Sequence, residues 1–280
     1  MIDNQSLVYW RQFAPWVNSR QIEQDLVISR ALIDMFNHPL LKSELAFRGG
    51  TALQKCFYET ATRYSEDIDC VQITSNPIGP VFDALREVLE PWLGKPKVKQ
   101  GHGRATLIYK FESTEPSNSK MSLKVEINTR EHYNFLGLIG KSFYLDSPWY
   151  SGNCQIQTYQ LDELLGTKLR ALFQRKKGRD LFDMARAIEL LPINLELILY
   201  CFYKYLEPMG LNISRAEYEE NLLGKKNMQE FREDIKPLLS YSMSHDFDHD
   251  FNLVMDRIIV RLPGEAWKGV KSELNSMAIQ

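Results

Sequence analysis

A chain of 280 residues can form one large domain or two modest ones, and 44% apolar with 25% charged residues is the balance of an ordinary folded protein. A net charge of −2 excludes a protein that binds nucleic acid over its whole surface, though not one with a local basic strip. No apolar run approaches a membrane span, Met1-Ile2-Asp3-Asn4-Gln5 does not open as a signal peptide, and Cys56, Cys70, Cys154 and Cys201 lack a zinc or disulfide spacing. The expectation is free thiols in a cytoplasmic protein with no membrane partner.

In chain order, residues 1–17 predict a short helix carrying Tyr9, Trp10 and Trp16. A longer helix follows from Asn18, with Ile22, Leu26, Val27, Ala31, Leu32 and Phe36 at three- and four-residue steps, and ends at His38-Pro39. Residues 44–48 lead into a Gly49-Gly50-Thr51 turn and a helix over 52–58. A strand over 67–74 then carries Asp67 and Asp69, which an i, i+2 spacing projects to one face. Two carboxylates that close repel unless a cation lies between them, and oxygen ligands suit Mg²⁺ or Mn²⁺. Gly49 and Gly50 allow a close backbone approach, and amides at a helix start hold phosphate oxygens. Together these residues describe a metal-dependent site for a nucleoside triphosphate.

Further on, 81–93 reads as a helix with Phe82, Leu85, Val88 and Leu89 buried. Lys95, Lys97, Lys99, His102 and Arg104 follow around a glycine-containing turn, then a strand over 106–112 and a polar loop over 115–119. Residues 122–129 alternate as a strand: Leu123, Val125 and Ile127 face one way, Ser122, Lys124, Glu126 and Asn128 the other. The stretch 137–159 reads as loop and as the domain boundary, dividing the chain into 1–155 and 156–280.

Beyond it the pattern is helical. Leu161, Leu164, Leu165, Leu169, Leu172 and Phe173 form a stripe that includes Lys168, a lysine that either snorkels or meets an anion. Gly178 breaks this helix and Arg179 starts the next, whose Asp180 and Asp183 share a face; they either orient a cation or, Asp180 above all, cap the helix. Further helices are predicted over 195–206, 215–223, 229–240 and 251–262. Arg175, Lys176, Lys177 and Arg179 make a basic strip that suits an RNA backbone, or serves only the helix dipole. The run from His245 to Asp250 matches no His-metal spacing and is read as acidic residues at a helix start.

Three motifs, Phe47-Arg48-Gly49-Gly50-Thr51-Ala52-Leu53, Ser65-Glu66-Asp67-Ile68-Asp69 and Arg179-Asp180-Leu181-Phe182-Asp183, resemble the AbiEii/AbiGii abortive-infection toxins, within the polymerase-beta-like nucleotidyltransferase superfamily. That superfamily usually has Gly-Ser and a shorter spacer; the Gly-Thr and the fifteen residues 52–66 here favour the narrower family. The resemblance implies an α+β fold, a mixed sheet flanked by helices and followed by an α-helical domain that completes the active-site cleft. It implies that Asp67, Asp69 and Glu126 (in Lys124-Val125-Glu126-Ile127-Asn128) hold the metal, with Glu126 as base or ligand. It further implies that Gly49, Gly50, Thr51, Ser65 and Lys168 bind NTP, that Asp183 assists catalysis, and that an antitoxin partners the chain. The implied acceptor is an RNA hydroxyl, with the tRNA 3′ end first. A modifier of protein or small molecules, and a catalytically silent NTP-binding module, stand as alternatives.

Overall fold

Helix formation begins where the sequence supplies caps. In the computed structural model, which describes residues 2–114 and 120–269, Asp3 caps α1 (Asn4–Trp10) by accepting the Ser6 amide at 2.8 Å. Asn18 caps α2 (Ser19–Asn37), which is buried along most of its length. His38-Pro39 ends α2 as expected, but Pro39 then occupies the first turn of a further helix, α3 (Pro39–Glu44). β1 (Leu45–Arg48) enters α4 (Gly49–Cys56) directly, so Gly49 and Gly50 form the helix start rather than a separate turn. β2 (Asp67–Gln72) and α5 (Gly79–Leu93) follow.

The basic run after α5 is itself a strand, β3 (Lys97–Gly101), which hairpins into β4 (Arg104–Glu112); the predicted loop at 115–119 lies outside the described residues. β5 (Lys120–Asn128) comes next. The loop reading of 137–159 is corrected: the stretch is a hairpin, β6 (Leu138–Asp146) and β7 (Ser151–Tyr159), closed where Ser147 and Tyr150 exchange hydrogen bonds. β6 is an edge strand with only Leu145 buried, so its alternation of apolar and polar residues is weak.

The described strands make a seven-stranded mixed sheet in the order β3-β4-β5-β2-β1-β7-β6. β2 with β5, and β1 with β7, run parallel; the other pairs are antiparallel. Ala105, Leu107, Tyr109, Leu123, Val125 and Ile127 are buried on one face, and the Tyr109 hydroxyl reaches the Leu85 carbonyl of α5. The chain divides into two compact units. The first comprises residues 1–164 and a returning segment, 236–244. That segment joins through Tyr64 N to Leu238 O at 2.7 Å and bridges Trp16 with Ser240 and Arg63 with Leu239.

Among the described residues the second unit comprises 165–235 and 245–269. α6 (Leu161–Gln174) enters it, followed by α7 (Gly178–Leu190), α8 (Leu195–Leu206), α9 (Arg215–Lys226), α10 (Gln229–Glu233) and α11 (Phe247–Arg257). The predicted helix over 229–240 stops early, because Pro237 has no amide to donate and clashes with a preceding carbonyl. Gly166 and Gly178 permit close packing: a Cβ on Gly178 would fall 1.9 Å from the Phe231 carbonyl. Among the described residues no helix is long and apolar enough to cross a membrane.

Candidate active site

The site in the first unit is built where β1, α4, β2 and β5 meet. Asp69 pairs in register with Glu126 on one side and with Arg48 on the other, and Asp67 pairs with Lys124. Directly opposed residues share a face, so three carboxylates, Asp67, Asp69 and Glu126, point the same way. Gly49 has a φ of +81°, and a Cβ there would fall 2.6 Å from Asp69 Oδ2. A Cβ on Gly50 would fall 2.4 Å from the guanidinium of buried Arg63. The two glycines let the start of α4 press against Asp69 and Arg63, and no side chain caps that helix.

Thr51 is buried, with Oγ1 2.5 Å from the Asp67 carbonyl and 2.8 Å from Ser65 Oγ. A carbonyl only accepts, so Thr51 donates to Asp67 and receives from Ser65. These hydroxyls tie α4 to the strand that carries the aspartates. What either residue offers a phosphate is therefore its backbone amide, or the Ser65 proton freed by rearrangement.

Burial, then the neighbouring Asp67 and Glu126, push the Asp69 carboxyl above the usual range, against the pull of Arg48 and Lys124. Several cations compensate the cluster. Lys124 Nζ lies 3.1 Å from Asp67 Oδ2 and 3.1 Å from Glu126 Oε2, and Arg104 Nε lies 3.1 Å from Glu126 Oε1. Burial depresses the Lys124 ammonium, but Asp67 and Glu126 outweigh it and raise its pKa. Arg48 donates to Glu131 Oε2 at 2.9 Å. Sequence reasoning assigned no role to Lys124, Arg48, Arg63, Arg104 or Glu131. Only Lys124 left a signal, since strand alternation puts it on the face of Glu126.

The donor set fits a hard divalent cation: convergent carboxylate oxygens, one of them reluctant to ionise, with no sulfur or imidazole among them. Among the described residues no three of His, Cys, Asp and Glu are already drawn into a metal-binding cluster. Lys124 occupies the point between Asp67 and Glu126, so a cation there would have to displace its ammonium.

In the second unit Lys168 is 5% exposed, with Nζ 2.5 Å from Asp183 Oδ2 and 3.3 Å from Asp180 Oδ1; both aspartates are fully buried. Arg175 grips Asp180 through two bonds of 2.8 Å. Burial pushes the Asp180 carboxyl up, but Lys168 and Arg175 hold it below its ordinary value. The capping alternative for Asp180 is corrected: Asp234 caps α7 instead, accepting the Arg179 amide at 3.1 Å. Asp234 also pairs with Lys177 and Arg179, so of the four basic residues expected to meet RNA, Lys176 alone makes no ion pair among the described residues. At the other run, Asp246 caps α11, and buried Asp250 binds His245 Nδ1 at 3.0 Å and Arg186. That arrangement is a cap and an ion pair, in line with the acidic helix start.

The pattern of the nucleotidyl transferase AbiEii toxin family, type IV TA system, matches residues 30–253. No curated protein matches the chain. Among solved structures, the chain resembles the nucleotidyltransferase toxin MenT4 from Mycobacterium tuberculosis H37Rv, at 18% identity and a TM-score of 0.62, over 92% of this chain and 90% of that one. It also resembles a candidate nucleotidyltransferase from H. pylori, at 17% identity and a TM-score of 0.53, over 85% and 92%. At such identities the likeness shows the fold, an α+β nucleotidyltransferase fold. The family match spans most of the chain and includes the carboxylate strands and the Lys168 helix. The protein belongs to the AbiEii family of nucleotidyltransferase toxins of type IV toxin–antitoxin systems, enzymes that use an NTP and are paired with a cognate antitoxin.

Proposed function

We propose that the protein transfers a nucleoside monophosphate from an NTP to an RNA hydroxyl in the cytoplasm, with the 3′ end of tRNA as the first acceptor to test. The observation that carries this reading is the register of Asp69 against Glu126, with Asp67 on the same face and the uncapped start of α4 beside them. Asp67, Asp69 and Glu126 would hold Mg²⁺ or Mn²⁺. Such a cation, when bound, neutralises triphosphate charge and aligns the α-phosphate for in-line attack.

The chain's own groups do the rest. Amides of Gly49, Gly50 and Thr51 at the start of α4 donate to phosphate oxygens, where the helix dipole favours negative charge. Glu126 accepts the proton of the attacking hydroxyl or serves as a ligand. Arg104 and Lys124 supply positive charge beside Glu126, each 3.1 Å from one of its carboxylate oxygens. In this reading Lys168, paired with Asp180 and Asp183, meets triphosphate oxygens, and Asp183 acts by orienting it.

The test is to incubate the protein with each α-labelled NTP and Mg²⁺ or Mn²⁺, with and without total RNA. Label at the 3′ end of tRNA, lost with EDTA and in Asp69→Asn, is the expected result. Label in protein or in a small molecule would overturn the acceptor, and label in nothing would leave a silent binding module.

A further inference from the structure

Cross-strand partners place an extended row of side chains on the carboxylate face. Arg48, Asp69, Glu126, Thr106 and Lys99 stand opposite one another in turn across β1, β2, β5, β4 and β3. The adjoining row reads Asp67, Lys124, Ile108 and Lys97. Arg104 and Lys110, at even steps from Thr106 along β4, project to this same face. Lys97, Lys99, Arg104 and Lys110 are all exposed, and among the described residues Lys97, Lys99 and Lys110 make no ion pair. The opposite face of β4 and β5 is buried, with Ala105, Leu107, Tyr109, Leu123, Val125 and Ile127 on it.

Resting on the RNA reading above, we propose that this face of β3 and β4 binds the sugar-phosphate backbone of the acceptor RNA, and leads its terminal hydroxyl to Asp69 and Glu126. Three strand steps separate Lys99 from Asp69, roughly 14 Å at the usual strand spacing, a span of a few nucleotides. The unpaired ammonium groups lie on the outer side of the row and the carboxylates at its inner end. A polyanion is therefore drawn to β3 and β4, while its last residue reaches the groups that act on it.

Lysines also blunt exposed sheet edges, and β3 is an edge strand. That role has no preference between faces, yet Lys97 and Lys99 share the carboxylate face while Val98 between them takes the other. In the competing strip at the α6–α7 junction, three of the four cations are already engaged in ion pairs with Asp180 or Asp234, whereas among the described residues those of β3 and Lys110 are not.

Salt titration distinguishes these surfaces, because each phosphate contact to a single strand contributes roughly 0.7 to the slope of log K against log salt. The full chain, its Lys97→Gln/Lys99→Gln variant, a Lys110→Gln variant and an Arg175→Ala/Lys176→Ala/Lys177→Ala variant are titrated with a single-stranded RNA oligonucleotide and with total tRNA. Arg104 is left intact because it touches Glu126. The double variant should lose about 1.4 and Lys110→Gln about 0.7 of the parent slope, with several-fold weaker binding at low salt. The helix-end variant should keep a slope near the parent's. A parent slope in both strand variants, each melting like the parent, overturns the proposed surface while the RNA reading stands. If the parent itself binds RNA without salt dependence and labels no RNA, the RNA reading fails and this surface falls with it.

Discussion

Asp69 of β2 faces Glu126 of β5 as its direct partner across a parallel ladder. Neither residue has the other as a neighbour in sequence, and the Glu126 charge makes Asp69 harder to ionise. Burial and these like charges hold the Asp69 carboxyl above its ordinary 3.8.

That shift has a definite sign for stability. A carboxylate whose folded pKa is raised favours the folded state fully below its unfolded pKa, and the advantage is lost as pH rises through the folded pKa. At neutral pH Asp69 therefore disfavours the fold of the metal-free protein. Asp69→Asn should abolish transfer yet stabilise the metal-free protein at pH 7 by on the order of 1 kcal/mol, read as a higher melting temperature. The gain should shrink as pH falls toward 3.8. Melts between pH 4 and 8 without divalent ions check this; a variant melting below the parent at pH 7 would make Asp69 a structural residue.

Lys124 bridges Asp67 and Glu126 where a cation would sit. It is a third exposed, so removing it should cost the metal-free protein less than about 1 kcal/mol. Lys124→Met should also remove a competitor for that position. The rise in melting temperature produced by Mg²⁺ or Mn²⁺ should then be larger than in the parent. A smaller rise would mean that Lys124 supports the site rather than competing with a cation.

Lys168 Nζ meets two fully buried carboxylates, Asp183 and Asp180, and its loss removes the positive charge that they share. Lys168→Met should destabilise the protein by about 3–5 kcal/mol, the usual cost of breaking a buried pair. Adding Asp183→Asn should restore much of that stability without restoring transfer. Kinetics on the double variant then separate the roles: a raised KM for NTP with unchanged kcat marks ground-state binding, and a fall in kcat marks a part in the transition state. Parent kinetics in the stable double variant would reduce Lys168 to a packing role.

Gly49 has a left-handed backbone and its Cα abuts Asp69. Gly49→Ala adds strain of about 1–2 kcal/mol and forces Asp69 Oδ2 aside by the volume of a methyl group. Transfer should fall by at least 10²-fold while the melting temperature drops only a few degrees, because a small misplacement at a reacting centre costs rate steeply. Activity within tenfold of the parent would show that Asp69 moves freely.

Local patterns by themselves determined α2, from an Asn18 cap to His38-Pro39, and the faces of β2 and β5, because periodicities of 3.6 and 2 are properties of consecutive residues. They also put Asp67 and Asp69 on one strand face, whereas the role of Glu126 came from the family resemblance. The β6–β7 hairpin escaped them because an exposed edge strand needs no regular apolar stripe. Alternation assigns a side chain to a face but not to a partner, since a slip of two residues preserves the face. Only the tertiary structure decided that Asp69 meets Glu126, that Lys99 lies in the same row, and that Lys124 bridges the carboxylates. The charge of Arg175, Lys177 and Arg179 was legible in the chain, but Asp234, which pairs with two of them, lies 55 residues beyond Arg179. Whether a charge is spent or available depends on which groups folding brings within a few ångströms, and that is not a property of neighbouring residues.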